Sequence, residues 1–376
     1  MRKSHFTLVP ERGAGSAELK IGLRSAPYLA DHRLHGMVVL PGSFYIAAAA
    51  VLHREVFAAP AEIFENVRFE IPIVLSLSET TVRIEITESP ESVEYRFFEA
   101  TNTHAPGAPH SARLAVRRVP PDGRAATSTN ASNGRPGEDA VIDLRGFYDT
   151  LRKNGNDYGP SFQRISSLRK SGSQWLGSIS ATCPAEGDEP AHLHPAVLDS
   201  MTQLLAPFMM QNRQTFILRS IERVEILNPR PASALLGAAT VPAHQPSEAS
   251  FAGDVLLTDD SGLGQVRLTG VTFDLRSPGT STEPEPTRTV VVAANFTAEP
   301  LEDVLRFWGA YLGAPIEPQF APYNQVFQQL LDSRSDLHKN DGVANVVLLS
   351  LEEWARANAP ALTSVTGERA TRAFQG

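Results

Sequence analysis

Three stretches of the chain carry side chains whose types and spacing suit acid–base chemistry. The first is Asp31-His32-Arg33-Leu34-His35-Gly36-Met37-Val38-Val39-Leu40-Pro41-Gly42, where His32 stands four residues before Gly36 and nine before Pro41. Pro41 and Gly42 read as a helix entry, because proline fits a first turn, where its missing N–H costs nothing. His32 is then expected on a loop just before a helix N-terminus, whose backbone N–H groups can hold a developing negative charge. The second stretch is His194-Pro195-Ala196-Val197-Leu198-Asp199-Ser200-Met201-Thr202-Gln203, with Asp199 and Gln203 four apart and so on one helix face. Asp199 has the apolar neighbours Leu198, Met201 and Leu204. A buried carboxyl is costly to ionise, so it can keep a proton near neutral pH and act as a general acid. Gln203 can hydrogen-bond that carboxyl or a substrate oxygen. The third stretch is Tyr158-Gly159-Pro160, a turn offering a phenol donor and, at Gly159, room for backbone to approach a substrate. Imidazole titrates near neutrality and is a competent base. Taken singly, each residue also has an ordinary use: His32 as a core or surface histidine, Asp199 as a helix cap or an arginine's partner, Tyr158-Gly159-Pro160 as a connecting turn.

The elements that must position these groups follow from hydrophobic rhythm. Gly42 to about residue 57 contains the run Ile46-Ala47-Ala48-Ala49-Ala50, a narrow helix that a sheet can wrap closely. Strands are expected at 6–9 and 18–23 before it, and at 63–69, 81–87, 93–98 and 111–116 after it. Residues 120–139, rich in Pro, Gly, Ser, Asn and Thr, read as a linker. The plan then repeats: a short helix from Leu144 to Asn154, strands near 163–171 and 174–182, a helix from 194 to about Met210, and strands at 216–218, 223–226, 235–240, 251–257 and 264–273. Two copies of strands around one buried helix suggest a pseudo-dimer within one chain, its site between the copies. Residues 278–289 read as a second linker. Beyond it Val290–Ala293, 300–312, 323–331 and a buried strand at 345–349 alternate as in an α/β half-domain, and the tail from Ala355 looks frayed.

Composition narrows the function classes. The chain has 376 residues, 42% hydrophobic and 20% charged, enough for two or three domains. A formal net charge of −8 argues against nucleic acid, which asks for a basic face. The single cysteine, Cys183, excludes an internal disulfide and a cysteine-based zinc cluster and fits a reducing cytoplasm. No stretch has the roughly 20 apolar residues of a membrane span, and no signal-length apolar run follows the basic start. Met1 and the end at Gly376 suggest a free-standing protein acting in trans, although an excised module would look the same.

His32…Gly36…Pro41 resembles the HxxxGxxxxP motif of polyketide synthase dehydratase domains. Gly155…Tyr158-Gly159-Pro160…Phe162 resembles their GxxYGPxF motif, and His194-Pro195-Ala196-Val197-Leu198-Asp199…Gln203 their HPALLD…Q segment. The resemblance runs over roughly residues 3–277. It implies an α+β double hotdog, each half an antiparallel sheet wrapped around one helix, with halves at 1–119 and 140–277. It also implies a 3-hydroxyacyl chain tethered to the phosphopantetheine of an acyl carrier protein, inside a polyketide synthase assembly that leaves room for a homodimer. Under it His32 is the base and Asp199 the acid. Tyr158, Gly159, Pro160, Gln203, Gly36, Pro41 and Gly42 contact the substrate, and no metal or dissociable cofactor takes part. One departure is Phe216-Ile217-Leu218-Arg219-Ser220-Ile221 in place of an LPFSW-like strand, which bears on tunnel shape. Residues 290–376, through Ala294-Asn295-Phe296-Thr297-Ala298-Glu299-Pro300 and Phe320-Ala321-Pro322-Tyr323-Asn324-Gln325-Val326-Phe327, look like the N-terminal region of FkbH-type proteins without their Asp-rich motif, hence a truncated, non-catalytic appendage. The same acid–base pair serves double-bond isomerisation or oxygen-heterocycle formation. A catalytically idle module that holds carrier protein is the reading from another class.

Overall fold

The computed structural model describes residues 6–10, 15–76, 79–100, 110–118, 141–181, 193–210, 214–228, 234–245, 247, 249–276, 288–311, 315–340 and 344–352. The first linker call, 120–139, and the tail from 355 lie outside them. Contacts divide the chain into two units, residues 1–278 and 279–376.

The first unit begins with β1 (Phe6–Pro10), β2 (Gly15–Ile21), β3 (His32–Leu34), β4 (Met37–Val38), α1 (Gly42–Phe57), β5 (Ile63–Phe69), β6 (Thr80–Glu88), β7 (Ser92–Glu99) and β8 (Ala112–Arg117). It continues with α2 (Leu144–Lys153), β9 (Asn156–Tyr158), β10 (Ile165–Ser171), β11 (Gln174–Ser180), α3 (Pro195–Gln203), β12 (Thr215–Ile226), β13 (Ala234–Thr240), β14 (Ser250–Asp259) and β15 (Gly264–Arg276). Strand order is β1-β2-β6-β7-β8-β5 in one half and β12-β15-β14-β13-β11-β10 in the other, the second being the first reversed. This is the double hotdog. The two halves join edge to edge, antiparallel, with Val67 opposite Ile221 and Phe64 opposite Val224, into one twelve-stranded sheet. On the exposed face of that seam Arg223 pairs with Glu65 and, at 3.2 Å, with Glu225, which meets Arg267 at 3.2 Å. Such partly exposed pairs contribute about 0–1 kcal/mol each, so apolar burial beneath them dominates.

Each half wraps one helix. In α1 every residue from Ser43 to His53 is buried, and all nine residues of α3 are buried. Helices buried on every side are what an enclosing sheet produces. The strands show the matching alternation: Val82, Ile84 and Ile86 of β6 face inward, with Arg83, Glu85 and Thr87 between them.

Three boundaries differ from expectation for local reasons. The second helix ends at Gln203 rather than near Met210, because Pro207 lacks an N–H and its ring opposes the carbonyl four residues back; a short 3-10 turn at Ala206–Phe208 follows. The segments at 216–218 and 223–226 are one strand, β12, with a register shift between Leu218 and Ser220. Residues 278–287 of the second linker lie outside the described residues, and Arg288 and Thr289 are not linker but already paired in a strand.

That strand, β16 (Arg288–Ala294), opens the second unit, followed by α4 (Glu302–Tyr311), β17 (Ile316–Phe320), α5 (Val326–Leu331), α6 (Asp336–Lys339) and β18 (Ala344–Leu348). The sheet is parallel, ordered β17-β16-β18. The central strand has the continuous apolar run Val290–Ala294, all buried. The strand expected to be buried at 345–349 is instead an edge strand, half-buried or exposed throughout.

Close approach of α3 to the sheet rests on glycines: a Cβ at Gly177 or Gly237 would run into Leu204, and one at Gly253 into Leu205. Gly237→Ala should lower stability by about 1–3 kcal/mol in urea unfolding. Combined with Leu204→Ala, which makes room, its cost should be less than additive.

Candidate active site

His32 opens β3, a short strand rather than the expected loop, and pairs across to the second half: His32 lies opposite Tyr158 and Leu34 opposite Asn156. The strand turns at His35 (φ +47°) and Gly36 (φ +79°) into β4. Gly36, expected among the substrate contacts, therefore serves the hairpin, where a positive φ favours glycine. The ring of His32 is fixed at its far side, Nδ1 standing 2.8 Å from the carbonyl oxygen of Val39. A carbonyl only accepts, so Nδ1 carries the hydrogen and Nε2 of the neutral ring presents a lone pair. Phe162 and Tyr158 flank the imidazole, with ring centroids at 5.3 and 5.7 Å.

Nε2 faces Asp199 Oδ1 at 3.8 Å, and the two side chains are 16% and 6% exposed. The carboxyl comes from the fifth helical residue of α3, which His194 caps: its Nδ1 accepts from the Ala196 N–H at 3.2 Å, with Pro195 in the first turn. Asp199 is thus not the helix cap. Burial beside the positive Arg164 holds His194 down at about 4, so it stays neutral and able to accept. Burial pushes the Asp199 carboxyl above its ordinary range, partly offset by His32 and by Gln203. Gln203, 1% exposed, donates from Nε2 to Asp199 Oδ2 at 2.8 Å and to the Phe162 carbonyl at 3.1 Å. Of the two partners expected for its amide, the carboxyl and a substrate oxygen, the structure shows the carboxyl. Tyr148 donates its phenol hydrogen to Gln203 Oε1 at 3.2 Å.

Other expected contacts divide. Tyr158 stays beside the pair, and burial with Asp199 nearby pushes its phenol well up, so it remains a neutral donor. Gly159 packs on Asp31: its N–H donates to the Asp31 carbonyl at 2.7 Å, and a Cβ would strike that carboxylate, which takes the Ser161 N–H at 2.8 Å. The close approach seen at Gly159 is to Asp31. Pro160 is exposed. Pro41 is the N-cap of α1 and Gly42 its first residue; a Cβ there would press on Phe69 and Leu218 at 2.9–3.0 Å. The first-turn N–H groups of Gly42 and Ser43 have no acceptor within the helix. Tyr148 and Phe162 escaped the sequence reading as site residues. Phe162 stood inside a motif that was noticed, whereas nothing about Tyr148 distinguished it from a core aromatic.

Among the described residues no three His, Cys, Asp or Glu side chains are grouped to hold a metal, and no helix is long and apolar enough to cross a membrane.

Two family profiles match successive parts of the chain: "Polyketide synthase dehydratase domain" over residues 9–100 and "Polyketide synthase dehydratase N-terminal domain" over residues 126–281. The pikromycin polyketide synthase component PikAII of Streptomyces venezuelae is 30% identical over 189 residues, 49% of this chain and 5% of that protein. The chain thus spans about a twentieth of the length of this curated relative. Two solved structures of the CurK dehydratase are similar, each described as an inactive mutant. One, with aspartate changed to asparagine, has TM-score 0.58 and 19% identity, covering 72% of this chain and 96% of that one. The other, with histidine changed to phenylalanine, has TM-score 0.61 and 18% identity, covering 73% and 98%.

The raised carboxyl has a thermodynamic signature. A folded-state pKa above the unfolded value means the native protein holds the extra proton, so stability is fullest below the unfolded pKa and falls as pH rises through the folded one. Asp199→Asn should remove that dependence. In urea titrations across a pH series, the variant should gain on the natural chain as pH rises from the ordinary carboxyl range through the elevated Asp199 pKa.

Proposed function

The chain carries a polyketide synthase dehydratase domain, and on that premise we propose that it eliminates water from a 3-hydroxyacyl thioester to give an α,β-unsaturated acyl chain. The observation that carries this is His32 Nε2 facing Asp199 Oδ1 at 3.8 Å, the first with a free lone pair and the second buried enough to keep its proton. The inactive histidine and aspartate variants of the CurK dehydratase support the same pairing of residue types.

His32 Nε2 removes the proton from the carbon next to the thioester. The electron pair left behind forms the Cα–Cβ double bond as the Cβ–O bond breaks, and Asp199 Oδ1 supplies the proton with which the hydroxyl departs as water. Imidazolium and carboxylate are left side by side, and one proton passing between them restores both. Base and acid so close together reach the substrate from one side, which favours syn elimination. Charge that builds on the thioester oxygen needs donors, and the first-turn N–H groups at Gly42 and Ser43 suit that role. The Tyr158 phenol orients the leaving hydroxyl, and Gln203 holds Asp199. Every step is a proton transfer or a β-cleavage, so the reaction as written calls on no cofactor. The acyl chain is delivered on the phosphopantetheine of an acyl carrier protein within a polyketide synthase assembly in the cytoplasm. Among the described residues, His32, Asp199 and the groups seen against them belong to the first unit.

General acid and general base each contribute about 10²–10⁴-fold. His32→Ala and Asp199→Asn should therefore each cut formation of the unsaturated product from a synthetic 3-hydroxyacyl thioester by that factor, read by mass spectrometry, with circular dichroism unchanged. Retained turnover in His32→Ala would rule out His32 as the base. Loss of 18 mass units separates dehydration from isomerisation, which conserves mass.

A further inference from the structure

An acid that works through one oxygen must have its proton on that oxygen. Asp199 has two, and they are not equivalent. Oδ2 accepts from Gln203 Nε2 at 2.8 Å, so a proton there would oppose an N–H hydrogen. Oδ1 faces His32. The choice depends on which end of the Gln203 amide points at the carboxyl, and two contacts settle that end. The Phe162 carbonyl, an acceptor only, takes the other Nε2 hydrogen at 3.1 Å. The Tyr148 hydroxyl meets Oε1 at 3.2 Å. With both Nε2 hydrogens taken, Oε1 is left as an acceptor, so the phenol donates to it. Tyr148 and Gln203 are both buried, at 9% and 1% exposure, where an amide turned the wrong way finds no water to repair it.

We propose that Tyr148 is a positioning residue for the general acid: by donating to Gln203 Oε1 it holds the amide nitrogen on Asp199 Oδ2 and so keeps the transferable proton on Oδ1. The inference rests on the dehydratase reading and adds to it a residue on α2 that touches neither substrate nor carboxyl. Without the phenol, Oε1 is a buried acceptor lacking its donor. The amide is then held by the Phe162 carbonyl alone and can draw away from Oδ2. That weakens an N–H that stabilised the carboxylate and lets the proton settle on Oδ2, the wrong oxygen. The ionisable groups facing Asp199 are His32 from β3, Tyr158 from β9 and Tyr148 itself from α2. Both phenols are held neutral by burial, so replacing Tyr148 removes no charge from the carboxyl's surroundings.

The test is Tyr148→Phe in the full chain. With a synthetic 3-hydroxyacyl thioester, kcat should fall between about 10- and 100-fold, with KM nearly unchanged. The basic limb of the kcat profile, where the acid loses its proton, should move to higher pH because the carboxylate has lost a donor. A substitution that merely loosened the fold would lower the amplitude and leave the limb in place. Carboxyl carbon NMR, with Asp199→Asn to assign the signal, reads the same upward shift without substrate. Gln203→Met should reproduce the shift, and adding Tyr148→Phe to it should change nothing more. An Asp199 titration unmoved by Tyr148→Phe, or a second shift on the Gln203→Met background, overturns the proposal. A shifted titration in a natural chain that turns over no thioester supports the hydrogen-bond role and rejects the dehydratase reading instead.

Discussion

A carboxyl enclosed in a wholly buried helix has to be neutral, paired or both. Asp199 meets that constraint with elements from both halves of the first unit: Gln203 one turn along α3, the Phe162 carbonyl steering that glutamine, and His32 arriving from the other half. Burial favours the protonated acid, while the glutamine N–H and the imidazole limit how far.

The halves repeat each other in strand order, but their helices do not carry the same chemistry. Counted from the first helical residue, Asp199 and Gln203 of α3 correspond to Ile46 and Ala50 of α1. One helix stayed apolar and became a pure core element; the other took on a polar pair at the same depth. The imidazole is supplied from the apolar half by β3, which leaves its own half to pair with β9. With that short three-stranded sheet β4-β3-β9, His32 comes to face Asp199 although the two stand far apart in the chain. The anchoring is repeated at the hairpin turn, where the His35 N–H donates to the Gly155 carbonyl at 2.8 Å and its ring meets Thr215 at 2.8 Å.

Precision in this arrangement comes from close contact rather than from polar links alone. Leu204 and Leu205 sit directly over Gly177, Gly237 and Gly253, so the end of α3 just past Gln203 is pinned against the sheet. Gly159 lies against Asp31, one residue before His32, and the Asp31 carboxylate holds the Ser161 N–H. Gly159, which reads in sequence as room for a substrate, lies here against the protein's own Asp31.

Much of this molecule was legible in the chain itself. The apolar run at 46–50, the alternation at 81–87 and their return in the second half announce strands around a buried helix, because those periods reflect which face meets water. His32, Asp199 and Tyr158 were recognisable from residue type and spacing within short motifs. Tertiary structure alone decided the rest. That Gln203 meets the carboxyl, that Gly36 turns a hairpin, that Gly159 packs on Asp31 and that Tyr148 reaches Gln203 follow from which segments came to lie beside one another. Periodicity records only which way a side chain faces; the pairing of β9 with a strand of the other half, the approach of Asp199 to His32 and the hydrogen bond from Tyr148 of α2 to Gln203 of α3 are contacts across long stretches of chain, and no local pattern encodes them.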